Sequence, residues 1–152
     1  MRRVFLAMAL CAVGHQAAAL SCQRIEPQDA FEKAAAAEES YIVVHGSFAF
    51  DAEALPKSHE PGAGDVTIPA TFTGLGLTGE GFSTPLEFRV ALDARCLGPW
   101  CGTLQPDLLQ LAFLERRTDG YHLEVSPCPG RAFSTPDEAT LDQMTACLNG
   151  GC

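Results

Sequence analysis

Basic residues are scarce in this chain. Ten Lys and Arg stand against nineteen Asp and Glu in 152 residues, a formal net charge of −9. A surface of that sign repels phosphate backbones and anionic lipid heads, and no basic run offsets it, so nucleic acid is excluded as a partner class. The carboxylates are scattered, which reads as solubility rather than as an acidic binding patch. No apolar run approaches the ~20 residues a membrane helix needs. Catalytic signatures are missing as well. There is no G-x-S-x-G elbow and no H-E-x-x-H pair. "GLGLTGEG" (Gly74 to Gly81) has glycines but lies in a strand-to-turn stretch, without a following helix to present amides to a phosphate. The histidines His45, His59 and His122 fall into no catalytic constellation, and the chain reads as a non-enzyme with no cofactor and no metal.

The first residues have a specific layout. Arg2 and Arg3 precede an apolar run from Val4 to Val13, and Ala17-Ala18-Ala19 closes the segment with a small-residue A-x-A site. This is a secretory signal peptide over residues 1–19, and it implies a periplasmic or extracellular destination. Its loss takes the net charge from −9 to −11, because it carries two arginines and no acid. The alternative processing is lipidation of Cys22, whose flank "ALS" has the small Ser21 but Ala19 where leucine is usual. What remains, residues 20–152, is one domain on length and can bury roughly two-thirds of its unfolded surface.

Cys11 leaves with the signal, and Cys22, Cys96, Cys101, Cys128, Cys147 and Cys152 remain. An even count in a small exported chain is a disulfide framework. A redox centre would want C-x-x-C, whereas 96–101 and 147–152 are both C-x4-C. Zinc knuckles would tolerate that spacing, but an oxidising compartment favours disulfides. Many pairings are open to six cysteines, and spacing does not choose among them.

Helices are expected at both ends and strands between. "EPQDAFEKAAAAEES" (Glu26 to Ser40) has Pro27 for the first turn, acids near its start and four alanines, with Phe31, Ala34, Ala35 and Glu38 on one face. Tyr41 to Phe50 is β-branched and aromatic, with Ile42, Val44, Phe48 and Phe50 inward and Gly46 marking a bulge or a tight bend. Residues 51–65 are a polar Pro/Gly-rich excursion. Val66 to Gly79 is strand-like, and Pro69 places an edge or irregularity there. "PLEFRVALDARC" alternates, with Leu86, Phe88, Val90 and Leu92 inward and Glu87, Arg89, Ala91 and Asp93 outward. Leu108 to Arg116 is apolar on both faces. It joins Tyr121 to Ser126 through "TDG", which reads as a hairpin with His122 on its polar face. In "STPDEATLDQMTACLNGGC", Thr135 and Glu138 form a capping box, and Leu141, Met144 and Leu148 form an apolar stripe. The fold class is mainly β: a five-stranded antiparallel OB-like barrel with an N-terminal and a C-terminal helix.

"LSC" at the mature N-terminus, "VVHGSF" in a strand, "WCG", a long hairpin, "SPC" and a C-terminal helix resemble the netrin-like module. That is the OB barrel of tissue inhibitors of metalloproteinases and related secreted domains. The resemblance implies that Cys22 pairs with Cys128. Only the second cysteine of the family's N-terminal C-x-C is present, with Leu20 standing where the first would be. Cys101 is then left to pair with Cys96, and Cys147 with Cys152. "CLGPWCG" becomes a stapled turn. Trp100 within it either packs beside the barrel or serves as a binding hot spot. The family's inhibitors chelate zinc through their first amino group, which Leu20 would offer here without a disulfide to hold it. Trp100 and Leu20 are therefore the candidate interaction surface. The expected function is an exported, disulfide-stabilised module that binds a protein partner. The alternatives are a lipid-anchored envelope component and a metalloprotease inhibitor.

These readings predict a mature protein whose intact mass begins at Leu20. All six of its cysteines should resist alkylation until reduced. A lipid mass on Cys22 would refute both the cleavage site and the Cys22–Cys128 bridge.

Overall fold

The computed structural model describes residues 20–152, so the signal peptide expected over 1–19 lies outside the described residues. Helix α1 (Pro27–Ala36) leads into strand β1 (Ser40–Ala49). A single 3-10 turn (Ala52–Ala54) follows, then the long hairpin β2 (Val66–Thr78) and β3 (Gly81–Ala94). A miniature hairpin, β4 (Cys96–Leu97) and β5 (Trp100–Cys101), precedes β6 (Gln110–Arg117) and β7 (Gly120–Val125). Short β8 (Ala132–Ser134) and helix α2 (Glu138–Leu148) end the chain.

Strands β1, β2, β3, β7 and β6 are hydrogen-bonded in that order, and β6 returns to β1, so the five close into a barrel. The barrel and its two terminal helices are as expected, and the strand pairing adds a detail. Every seam is antiparallel except β3–β7, which is parallel, with Val90 beside Tyr121 and Ala94 beside Val125. Alternation within a strand reports its faces and not its neighbour, so this seam was not readable beforehand. Pro69 lies where β2 has a partner only in β3, because β1 pairs with β2 from Thr71 onward. Its missing N–H therefore costs no ladder bond there.

Two hydrophobic clusters result. Val44, Phe48, Phe72, Leu92, Leu114 and Leu123 are fully buried inside the barrel. Outside it, Leu111 and Phe113 of β6 pack under the helices against Ala30, Met144 and Cys147. Strand β6 thus feeds both cores, which explains its two apolar faces. Aromatic rings run across the barrel interior: Phe48 to Phe72 at 5.1 Å, Phe72 to Phe88 at 5.4 Å, and Phe88 to Tyr121 at 4.6 Å.

The tightest point is the pairing of Gly46 with Gly74. A Cβ on Gly46 would fall on the Thr73 carbonyl and the Gly74 Cα, and one on Gly74 would fall on the His45 carbonyl and the Gly46 Cα. Both would also strike the Phe72 ring, which lies over the pair. The mid-strand glycine is thus a bend formed by close approach of two backbones.

Three disulfides join Cys22 to Cys128, Cys96 to Cys101 and Cys147 to Cys152. The first spans 106 residues and contributes roughly 4–5 kcal/mol on the chain-entropy model. The second crosses the β4–β5 turn, where Gly98 takes φ 60° at the first central position, as a type II′ hairpin turn requires.

Some details differ from the expectation. The N-cap of α2 is Asp137, whose carboxylate accepts the Thr140 N–H at 2.8 Å. Thr135 instead takes φ 46° in the preceding turn. Leu148, expected in the apolar stripe of α2, is 47% exposed, and Cys147, which was not expected there, is buried beside Met144 instead. The 51–65 excursion is anchored rather than free: Leu55 is buried in the barrel core, and the His59 N–H donates to the Pro99 carbonyl at 2.7 Å.

Gly74→Ala should lower stability by about 1–3 kcal/mol, since the added methyl meets backbone that has no room to yield. Gly64→Ala, at an open position, should change it by less than about 0.5 kcal/mol. Urea denaturation of both variants measures the difference.

Candidate functional site

Strand β1 pairs with β6 from Ser40 to Gly46, but with β2 only from Val44 to Ala49. Beyond Val44 and Gly76 the two strands part. The β2–β3 register slips between Gly76 and Leu77, and the tip of that hairpin bends toward the helices. There the Asn149 side chain donates to the Gly79 carbonyl at 3.0 Å. Leu77 and Phe82 join the outer cluster, with Phe82 edge-on to His45 at 5.8 Å.

The parting strands leave an apolar crevice of about 510 Å³. Ile42, Val44, Leu86, Phe88 and Tyr121 of the barrel line one side, and Phe31, Ala34, Leu77 and Leu148 the other. It lies between the two hydrophobic clusters and is the place where they fail to meet. Among the described residues no charged side chain lines it, and its polar side chains are the hydroxyls of Tyr41, Thr84 and Tyr121. Arg131 lies 4.4 Å over the Tyr41 ring and donates to its hydroxyl at 3.1 Å. Burial pushes the Tyr41 phenol up, Arg131 pulls it down, and Glu115, Glu39 and Glu124 add to the rise, so it is neutral at physiological pH. The size, apolar lining and position at a barrel mouth are those of a small-ligand or peptide site.

A second polar arrangement crosses the β3–β7 seam on the outer face. Asp93 is 3% exposed, where the alternation had placed it in solvent, and His122 is 8% exposed. Arg117 donates to the Asp93 carboxylate at 2.8 Å, Thr67 donates to it at 2.7 Å, and His122 Nδ1 lies 3.1 Å from it. Glu115 holds the far side of Arg117 at 2.7 Å, and Asp119 lies 3.2 Å from His122 Nε2. Burial alone would raise the Asp93 carboxyl. The bonds from Thr67, His122 and Arg117 outweigh it and hold the group below its ordinary 3.8. The partners come from four strands, so the cluster ties β2, β3, β6 and β7 together. His122 Nδ1 also lies 2.9 Å from the Arg117 guanidinium, so imidazole, carboxylate and guanidinium are held in one bonded group.

Neither sequence-derived surface residue reaches the crevice. Trp100 is half-buried on the stapled turn, edge-on to His59 at 5.9 Å, and belongs to neither cluster. Leu20 is half-buried at the start of the segment that Cys22 pins to Cys128. The crevice itself was missed. Its signal was Gly74 and Gly76, two inward positions in succession without side chains. Among the described residues no group of three His, Cys, Asp or Glu is arranged to hold a metal ion. No helix there is long and apolar enough to cross a membrane. No family model, curated protein or solved structure matches this chain.

Asp93 binds protons more weakly folded than unfolded, so its stabilisation is complete above about pH 4 and is lost as pH falls below 3.8 through the lower folded value. Asp93→Ala should cost about 2–3 kcal/mol at pH 7. Chemical denaturation at pH 7 and pH 3 should show the gap to wild type closing at the acid end.

Proposed function

We propose that this protein is an exported binding module that holds an apolar ligand in the crevice between β1 and the β2–β3 hairpin. The observation that carries this reading is the crevice itself. A fold with two well-packed clusters leaves a ring of half-buried Ile, Leu, Phe and Tyr side chains around one opening. Burial of apolar surface is favourable, so an apolar ligand entering a crevice with this lining would gain by covering those side chains. Three disulfides in a small domain support export to an oxidising compartment, periplasmic or extracellular. A Cys22 sulfur engaged with Cys128 is not free for acylation, which favours the soluble form over the lipid-anchored one. Cys101 is engaged with Cys96 and position 20 is a leucine, so the terminal residue has no disulfide of its own to hold it as in a zinc-chelating inhibitor, which weighs against that alternative. We read the module as a binder: the polar side chains lining the crevice are hydroxyls, and the Asp93–His122 cluster joins four strands away from it.

The neutral dye N-phenyl-1-naphthylamine tests the reading. Its emission should rise and shift to the blue on mixing with the protein, saturating near one equivalent. Ala35→Phe, a change at an exposed helix position that lines the crevice, should lose most of the signal at unchanged melting temperature. Trp100→Ala, away from the crevice, should keep it. Dye binding that is absent, or equal in wild type and Ala35→Phe, would overturn the proposal.

A further inference from the structure

The four residues Tyr41, Ile42, Val43 and Val44 all line the crevice. Side chains alternate faces along a strand, so a cavity touching four in succession meets the strand edge-on. The edge it meets is unpaired. Residues 40–43 of β1 are bonded to Arg116 through Phe113 of β6 on one side, and among the described residues they have no strand partner on the other. Facing them, Leu77 and Thr78 of β2 pair only with Phe82 and Gly81 of β3. An antiparallel ladder sends the N–H and C=O of alternate residues to opposite edges, so two of the four β1 residues aim both groups into the crevice.

We infer that the occupant is a short extended peptide segment of another protein, apolar at alternate positions and basic at its flanks, which pairs with the free edge of β1. This rests on the crevice being a binding site, and it names the ligand class. A plain hydrocarbon would expel water from the open N–H and C=O groups and leave them unsatisfied, a penalty that opposes its own burial. A peptide backbone satisfies them while its alternate side chains enter the apolar walls. Four residues at about 3.3 Å each give an edge of roughly 13 Å, enough for one short strand. The rim sets the charge. Glu38 and Glu39 are exposed directly before β1, and Glu80 is exposed at the hairpin tip opposite. These acids favour basic flanks, and they set a second copy of this chain against its own charge.

The test uses the full mature protein loaded with N-phenyl-1-naphthylamine. The competitors are a seven-residue capped peptide, Lys-Val-Thr-Val-Thr-Val-Lys, its form N-methylated at alternate amides, its form with Glu flanks, and 1-dodecanol. The Lys-flanked peptide should displace the dye and slow hydrogen exchange of at least one amide within 41–43. N-methylation should weaken competition by about tenfold or more, since it removes the donors of at least two ladder bonds. Glu flanks should weaken it too, by a margin that narrows as salt is added. Displacement by dodecanol but not by the peptide would overturn the inference and leave the apolar site standing. Equal competition by the N-methylated peptide would overturn strand pairing. Protection of 41–43 that grows with protein concentration alone would identify a second copy instead. A protein that takes up no dye refutes the site itself.

Discussion

The shape of the crevice end of this barrel depends on two glycines meeting. Gly46 and Gly74 bring β1 and β2 so close that neither can carry a side chain, and Phe72 fills the space above them. The same inward face of β2 reads Ile68, Ala70, Phe72, Gly74, Gly76, so its last two positions contribute no volume. At Gly74 the Phe72 ring compensates. At Gly76 the nearest side chain is Leu86, and the remaining space is the crevice. The glycine contact thus fixes where the strands touch, and the slip after Gly76 fixes where they separate. Closure and opening are consecutive steps along one strand.

The other end of the barrel is closed by different means. Leu55 is buried there, and Phe50 and Leu104 pack against the interior cluster. Arg95 donates to the Val125 carbonyl, and the Gly102 N–H donates back to the Arg95 carbonyl, so the stapled turn is pressed onto the end of β7. The Cys22–Cys128 bridge holds the N-terminal segment to the chain just beyond. Between the two ends runs the parallel β3–β7 seam. Parallel pairing is slightly weaker per residue than antiparallel pairing. The Asp93 cluster crosses this seam and adds charge-assisted bonds where the ladder gives least. The crevice end is tied differently, by the Cys147–Cys152 disulfide at the end of α2 and by the bond from Asn149 to the hairpin tip.

How much of this was legible follows from what each pattern encodes. Period-two alternation identified β3 and its inward set, whereas the two-faced run of β6 fitted a helix as well as a doubly buried strand, and only the Asp-Gly turn after it decided for the strand. The cysteine pairs followed from resemblance and parity. Alternation also placed Asp93 and His122 outward, correctly as to face. It could not report that Arg117 and Thr67 would cover them, because those neighbours come from other strands. The sequence pattern placed the α2 cap at Thr135 with Pro136 as the first helical residue, whereas the helix begins two residues later, with Asp137 as its cap. Leu148 followed the helical period but lies beyond the barrel wall, at the lip of the crevice. The crevice was the hardest to see. It arises from a register slip and a parting of strands, neither of which has a residue-level signature beyond a pair of spaced glycines.

The composition of α1 explains why the gap persists. Its crevice-facing residues Ala34 and Ala35 hold the helix by propensity alone and add almost no volume. Leucine at either position would carry apolar mass into the gap and join the two clusters into one. The helix is instead secured at its other end, through buried Ala30 and the nearby Cys22 bridge, and through Gln143 donating to Gln28 at 2.7 Å from α2. A wall that is helical without being bulky, and anchored away from the opening, keeps a crevice intact without filling it. The apolar burial forgone at the mouth is offset by covalent closure at the far end, where a bridge over 106 residues needs no hydrophobic area to act.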